Sequence, residues 1–301
     1  MSDTLESLRR KINGARDLES VVRTMKVLAA SSIGQYEKAI RSLEDYYSCV
    51  EAGLSVYFSR YAAAETLEIV NANSKEQNPA LQTSIDAVIF GSDQGLVGQF
   101  NDALTGFALT KINEFIGPKN LWAVGDRIYA RLEDSGMKPI GLFNVPGSVA
   151  AITALVSRII IECETARAQR KETPLYVFYN HPKRKATYEP TCIRLLPLDE
   201  TWSRNLAIKP WPAKNIPEIM NAGPAALLAL VREYLFVVLF RACAESLASE
   251  NASRLAAMQR AEKNIEELMQ DLNRSYHRLR QSSIDEELFD VISGFEALNK
   301  R

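Results

Sequence analysis

The sequence predicts an α/β protein in which a domain of alternating strands and helices is inserted between two long terminal helices. Three observations carry that expectation. Apolar residues near the start recur at alternating steps of three and four, the chain after Pro224 contains no further proline, and the stretch between them changes to short β-rich runs.

The first helix is read from Ala15, Leu18, Val22, Met25, Ala29, Ile33, Tyr36, Ile40, Leu43, Tyr47, Val50 and Leu54, all ahead of the first proline, Pro79. That spacing is the apolar seam of a coiled coil, and the two consecutive four-residue steps through Ala29 are a small phase slip. Gly14 and Gly34 weaken the helix without ending it, because a glycine costs only about 1 kcal/mol against alanine in a helix interior.

The middle of the chain reads as strands in SIDAVIFGS, NLWAVG, PLYVFYN and TCIRLL, with helices over Ala103 to Phe115 and Val149 to Cys163. Strands that alternate with helices imply a largely parallel, Rossmann-like sheet. The polar stretch from Glu65 to Thr83 reads as a linker, and the proline-rich KPWPAKNIP as a second boundary.

The last helix is expected from about Ala225 to Ile292, since Gly294 is the only glycine after Pro224. Its seam passes through Ala244, Ala248, Asn251, Leu255, Met258, Glu262, Ile265, Met269, Leu272, Tyr276 and Leu279. So long an amphipathic helix must bury its stripe against another helix. Because both helices leave the same inserted domain, an antiparallel coiled coil is the simplest solution, with a similarly patterned partner chain as the alternative. The expected divisions are residues 1–64, an N-terminal coiled-coil helix, 82–210, an α/β head, and 217–301, a C-terminal coiled-coil helix.

Composition limits what such a protein can do. Of 301 residues, 47% are hydrophobic and 24% charged, and 36 Lys+Arg against 37 Asp+Glu leave a formal charge of -1, so no net basic field exists to hold nucleic acid or an anionic membrane. The longest strongly apolar run, Tyr234 to Phe240, is far short of a bilayer span of roughly 20 residues. The opening MSDTLESLRRK has no apolar signal core, which gives the expectation of a cytoplasmic location.

Four scattered cysteines, Cys49, Cys163, Cys192 and Cys243, form no C-x-x-C pair and are expected to act as small buried hydrophobes. With only His181 and His277, a zinc site or His-based triad is not expected; His181 reads as a turn residue and His277 as solvated. No cofactor is expected.

The most enzyme-like segment is GSDQGLVGQFND, where Gly91, Gly95 and Gly98 lie between a strand and a helix as in a phosphate-cradling loop. The spacing G-x-x-x-G-x-x-G lacks both the dinucleotide fingerprint and the G-K-[ST] of a P-loop, so a structural turn is the preferred reading. Asp93 and Asp102 are read as turn and helix-cap residues rather than an acid/base pair, and HPKRK, His181 to Lys185, as a solvated hairpin rather than a phosphate contact. On the long helices, Arg9, Arg10, Lys26, Arg254, Arg280, Asp285 and Glu287 would ordinarily form a wet face. From the residues alone, a nucleotide-dependent enzyme using the Gly91 to Gly98 loop and a coiled-coil scaffold with an adaptor head both stand as readings.

The ends carry a resemblance. VVRTMKVLAASSI (Val21 to Ile33), ESLASENASRLAAMQRAEKNI (Glu245 to Ile265) and RQSSIDEELFDVISGF (Arg280 to Phe295) resemble, in order, the start, last third and end of the gamma subunit of F-type ATP synthases. SDQGLVGQFND is similar to that family's turn after the first strand of its inserted domain. The departures mark a divergent branch: Asp285 stands for a threonine, Gln94 for arginine, Val97 for cysteine, Gln99 for glycine, and AEKNI for A-T-D-N-A. There is no cysteine-bearing insertion of the chloroplast kind, so thiol regulation is not expected.

The resemblance implies a non-catalytic rotor, the central stalk that couples ion-driven rotation of a membrane ring of c subunits to nucleotide-affinity changes in an alpha/beta hexamer. It implies alpha, beta, epsilon and c-ring partners, one copy per complex, and a peripheral place on the cytoplasmic face of the plasma membrane. It assigns hexamer contacts to Met25, Lys26, Arg254, Arg280, Gln281, Asp285 and Glu287, whose charge-assisted hydrogen bonds would form and break as the shaft turns.

Overall fold

A computed structural model describes residues 4–61, 84–168, 173–183, 187–198, 200–211, 214–215, 217–220 and 223–299. The expected linker from Glu65 to Thr83 and the tip of the HPKRK hairpin lie outside them.

Helix α1, Leu5–Arg60, opens on a Thr4 cap whose Oγ1 accepts the Ser7 N–H at 3.3 Å. Its seam is as expected with one exception: every predicted position is buried or half-buried except Leu18, which is 58% exposed. The last helix, α6, runs Pro224–Asn299 with proline in the first helical position, where a missing N–H costs nothing, and Gly223 O accepts from Ala226 and Leu227. All its predicted seam residues are buried or half-buried.

Between them come β1 (Ile85–Phe90), α2 (Phe100–Ile112), β2 (Lys119–Val124), α3 (Asp126–Asp134), β3 (Gly141–Phe143), α4 (Val149–Ala168), β4 (Leu175–Lys183), β5 (Thr187–Leu196) and α5 (Glu200–Ile208). The sheet order is β3-β2-β1-β4-β5, with β5 antiparallel to β4 and the other pairs parallel. All four expected strands are present, together with β3, α3 and α5, which the sequence pattern does not announce.

The chain divides into two compact units, Met1–Ala29 with Arg254–Arg301, and Ala30–Ser253. The larger holds the sheet. Strand β1 is buried on both faces, as in sheets covered by helices on either side. Alternation sends Ile85, Ala87 and Ile89 toward α2 and α3, where they meet Leu104, Ala108, Ile112, Ile128 and Leu132. Val88 and Phe90 point the other way, into a cluster with Ile152 and Val156 of α4, Leu54 and Tyr57 of α1, and Leu235 and Leu239 of α6.

Within this unit α1 and α6 run antiparallel. The Tyr46 hydroxyl donates to Glu233 Oε2 at 2.5 Å, a Cβ on Gly53 would sit 3.0 Å from Leu230, and the Tyr57 hydroxyl donates to Gly223 O at 3.3 Å, so contacts descend α6 as they climb α1. In the smaller unit, Lys26 of α1 meets Glu262 of α6.

Three local expectations change. His181 is a strand residue, opposite Glu189 in the β4–β5 ladder, with Nδ1 2.8 Å from Glu245 Oε2. Asp102 is not the cap of α2: Gln99 holds that place, and Asp102 lies in the first turn, 2.9 Å from Arg131. Cys49 is exposed, whereas Cys163 and Cys243 are buried and Cys192 is partly so. Burial pushes the Cys163 thiol up to about 12 and the Cys192 thiol up to about 11, away from the reactive thiolate range.

Candidate functional site

Two places compete for function: the glycine turn after β1, and the paired helices of the smaller unit. The turn stands at the carboxyl ends of β1 and β4, the switch point of the sheet, where open α/β sheets usually bind ligands. Here several polar groups of that crevice are occupied by the protein itself. The Gly91 N–H donates to Val124 O at 2.9 Å, and a Cβ at Gly91 would fall 2.2 Å from Ile128 Cβ, so glycine is needed for packing. Gly98 has φ 58 and Leu96, beside it in the turn, φ 62.

Asn101 staples the turn from α2: its Oδ1 accepts the Ser92 N–H at 3.1 Å and its Nδ2 donates to Ser92 Oγ at 2.8 Å. The Asp93 carboxylate accepts the N–H groups of Asp126 at 3.1 Å and Val145 at 2.9 Å, tying three loops together. This is turn chemistry, as expected for Asp93.

Helix α6 fills the remaining space. Ser246 Oγ donates to Phe90 O at 3.0 Å, Ser253 Oγ donates to Val97 O at 2.5 Å, and Asn180 Nδ2 of β4 donates to Phe100 O at 3.1 Å. Residues 242–253 are buried without interruption, which explains the small and polar composition ACAESLASENAS: a helix covered on every side needs short side chains for close approach. The glycine turn therefore serves as a socket for α6. Replacing Ser246 and Ser253 by alanine should cost about 1 kcal/mol each, the net worth of one hydrogen bond, read as two nearly additive shifts in urea unfolding of the full chain.

The same helix carries an ion cluster. Glu245, with a 3% exposed side chain, accepts from Arg241 Nε at 2.8 Å and pairs with His181. Burial first, and then the Glu245 charge and hydrogen bond, push the Tyr179 hydroxyl upward. The Glu245 hydrogen bond is the main cause that raises the Arg241 guanidinium.

On the paired helices, the seven residues that the resemblance singles out all fall in the smaller unit. Met25, Lys26 and Arg254 are half-buried; Arg280, Gln281, Asp285 and Glu287 are exposed. Arg280 and Glu287 are seven residues apart and share one face of α6, while Gln281 and Asp285, four apart, share another. Lys26 is held at 2.6 Å by Glu262, a residue that the sequence reading places in the seam and not among the site residues. A carboxylate at a seam position was the available signal, since such a group needs a partner on the facing helix.

Past Arg280, α6 exposes Ile284, Leu288, Val291, Ile292 and Phe295 at 45–69% of their surface. At helical spacing these five form a single apolar stripe. The chain between Arg280 and Lys300 has Asp285, Glu286, Glu287, Asp290 and Glu296 but no Lys or Arg. No helix among the described residues is long and apolar enough to cross a membrane.

An α/β domain whose glycine turn is packed against its own C-terminal helix, with terminal helices that leave an apolar, acidic stripe uncovered, has the kind of surface that marks interaction sites. A family model described as ATP synthase matches residues 4–298, and the chain belongs to that family, in its gamma branch. It is similar to the ATP synthase gamma chain of Bacteroides fragilis strain YCH46, 26% identical over 97% of this chain and 98% of the relative. It is likewise similar to the gamma chain of Dechloromonas aromatica strain RCB, 24% identical over 97% of this chain and 99% of that one. Among solved structures, a chain from the Euglena gracilis mitochondrial ATP synthase, described as OSCP/F1/c-ring in rotational state 3, shares the fold with a TM-score of 0.67 at 16% identity, over 98% of this chain and 94% of that one.

Proposed function

We propose that this chain is the central-stalk rotor of an F-type ATP synthase, coupling ion-driven rotation of the membrane c-ring to nucleotide-affinity changes in the alpha/beta hexamer. In this reading it holds no catalytic residue, is present in one copy with the epsilon subunit, and lies at the cytoplasmic face of the plasma membrane as a peripheral protein. Residues 1–64 and 217–301 are its shaft and residues 82–210 its head. Met25, Lys26, Arg254, Arg280, Gln281, Asp285 and Glu287 are the positions on which coupling to the hexamer depends.

Beyond family membership, the observation that carries the reading is the uncovered stripe of α6 from Ile284 to Phe295, with its acidic flanks. Left 45–69% exposed, five large apolar side chains forgo roughly 1–2 kcal/mol each of burial energy, which a surrounding partner would recover. The plugged glycine crevice supports a chain that acts on the nucleotide sites of others.

The test is co-expression with the alpha and beta subunits from the same source, followed by size-exclusion chromatography and an ATPase assay. The expected result is a complex of three alpha, three beta and one copy of this chain, with hydrolysis that depends on it. A chain that stays apart from both subunits, or that gains thermal stability from nucleotide when alone, would overturn the reading.

A further inference from the structure

We propose that Lys26 and Glu262 form a clasp that fixes the register of α1 against α6, and that torque passes through the shaft only while it is closed. The functional half of this inference rests on the rotor reading above.

The pair joins residues 236 positions apart, Nζ to Oε2 at 2.6 Å, with side chains only 30% and 28% exposed. The neighbouring pair on α1, Arg23 with Glu19, is 65% and 33% exposed and lies within one helix, so it says nothing about register. Lys26 and Glu262 are half-shielded and can meet in only one alignment of the two helices.

Their surroundings do not supply that alignment. Around Lys26 the α1 seam has Val22, Met25 and Ala29, and around Glu262 the α6 seam has Met258, Ile265 and Met269, all buried or half-buried. Three of these six are flexible methionines, which fill space without demanding a unique fit. One turn from Glu262, Met258 has no charge to offer Lys26 and Glu266 is exposed, so only the observed register gives Lys26 a shielded carboxylate. A single polar pair at a core-type position is the device by which coiled coils fix register at some expense of stability. In a helix pair under torsion, the load acts to slide one helix along the other, and an ion pair that exists in one register opposes it. Lys26 and Glu262 are thus positioning residues: Lys26 acts through Glu262.

Two measurements test this with the full chain. In the first, Lys26→Ala, Glu262→Ala, Lys26→Glu, Glu262→Lys and the exchange Lys26→Glu/Glu262→Lys are assembled with the alpha and beta subunits and the membrane sector in vesicles. The readout is ions pumped per ATP hydrolysed. The ratio should fall in every single variant, most in the two charge reversals, and return toward wild type in the exchange. Loss in Lys26→Ala with none in Glu262→Ala, or an exchange no better than the single reversals, would overturn the clasp. In the second, a double-mutant cycle of urea unfolding on the isolated chain should give a favourable coupling between the two positions; strict additivity would overturn it. If the wild-type chain fails to assemble, the rotor reading falls together with the torque clause, and the unfolding cycle still decides whether the clasp exists.

Discussion

Gly125→Val should destabilise the α/β domain by about 2–6 kcal/mol. Gly125 sits between β2 and α3 with φ 116 and ψ 135, a region that is essentially glycine's alone, and forcing a branched residue there costs about 1–3 kcal/mol. A Cβ would also lie 2.6 Å from both C and O of Ser92. That backbone has no room to retreat: Ser92 N donates to Asn101 Oδ1, and Ser92 O accepts the Arg127 N–H at 2.9 Å. Overpacking against fixed backbone adds about 1–3 kcal/mol. The sum is a large part of a domain stability of about 5–15 kcal/mol. Gly136 is the control, with φ 82 but nothing within 4 Å of a new Cβ, so Gly136→Ala should cost only about 1–2 kcal/mol. Urea unfolding of the three full-length chains gives the comparison, and equal midpoints for Gly125→Val and Gly136→Ala would refute the assignment.

Gly125 also marks the limit of what the sequence reveals. The turn before it was legible through its three glycines, yet the sequence does not show that Ser92 lies against Gly125, since that contact depends on two parallel strands lying side by side. The long helices were legible because a seam repeats over many turns, and errors of one position average out. Leu18 departs from that seam, with Val21 and Leu28 also exposed. Apolar spacing alone cannot separate a stripe buried in its own chain from one left open. Strand β3 and helix α3 escaped for want of period: β3 has three residues, and α3 buries only Ile128 and Leu132 in a charged run.

For the candidate site the limit is sharper. The family motifs mark Lys26 but not Glu262, and in the sequence His181 reads as a turn residue because a lone histidine beside Pro182 gives no hint of a carboxylate 64 residues away. Polar partners joined through the fold leave no periodic trace. Spacing reveals which faces are covered, while the identity of the group opposite a charge depends on the register of elements far apart in sequence.

The second large effect follows from that unseen partnership. Removing both partners of Glu245, with His181→Gln and Arg241→Gln, should destabilise the chain by about 3–5 kcal/mol, because it leaves a carboxylate in the interior without its guanidinium counter-charge and without its imidazole partner. Either single change should cost much less. His181 and Arg241 are 40% and 47% exposed, so each is partly hydrated already, and the one that remains still serves the carboxylate. The carboxylate side has no such relief, being 3% exposed with only the Tyr179 hydroxyl left beside it. Adding Glu245→Gln to the double variant removes the stranded charge, and the triple variant should recover part of the lost stability although it has fewer native groups. The order expected in urea unfolding of the full chain is wild type, either single variant, triple, double. A triple variant no more stable than the double would mean that the cluster stabilises through shape and hydrogen bonds alone.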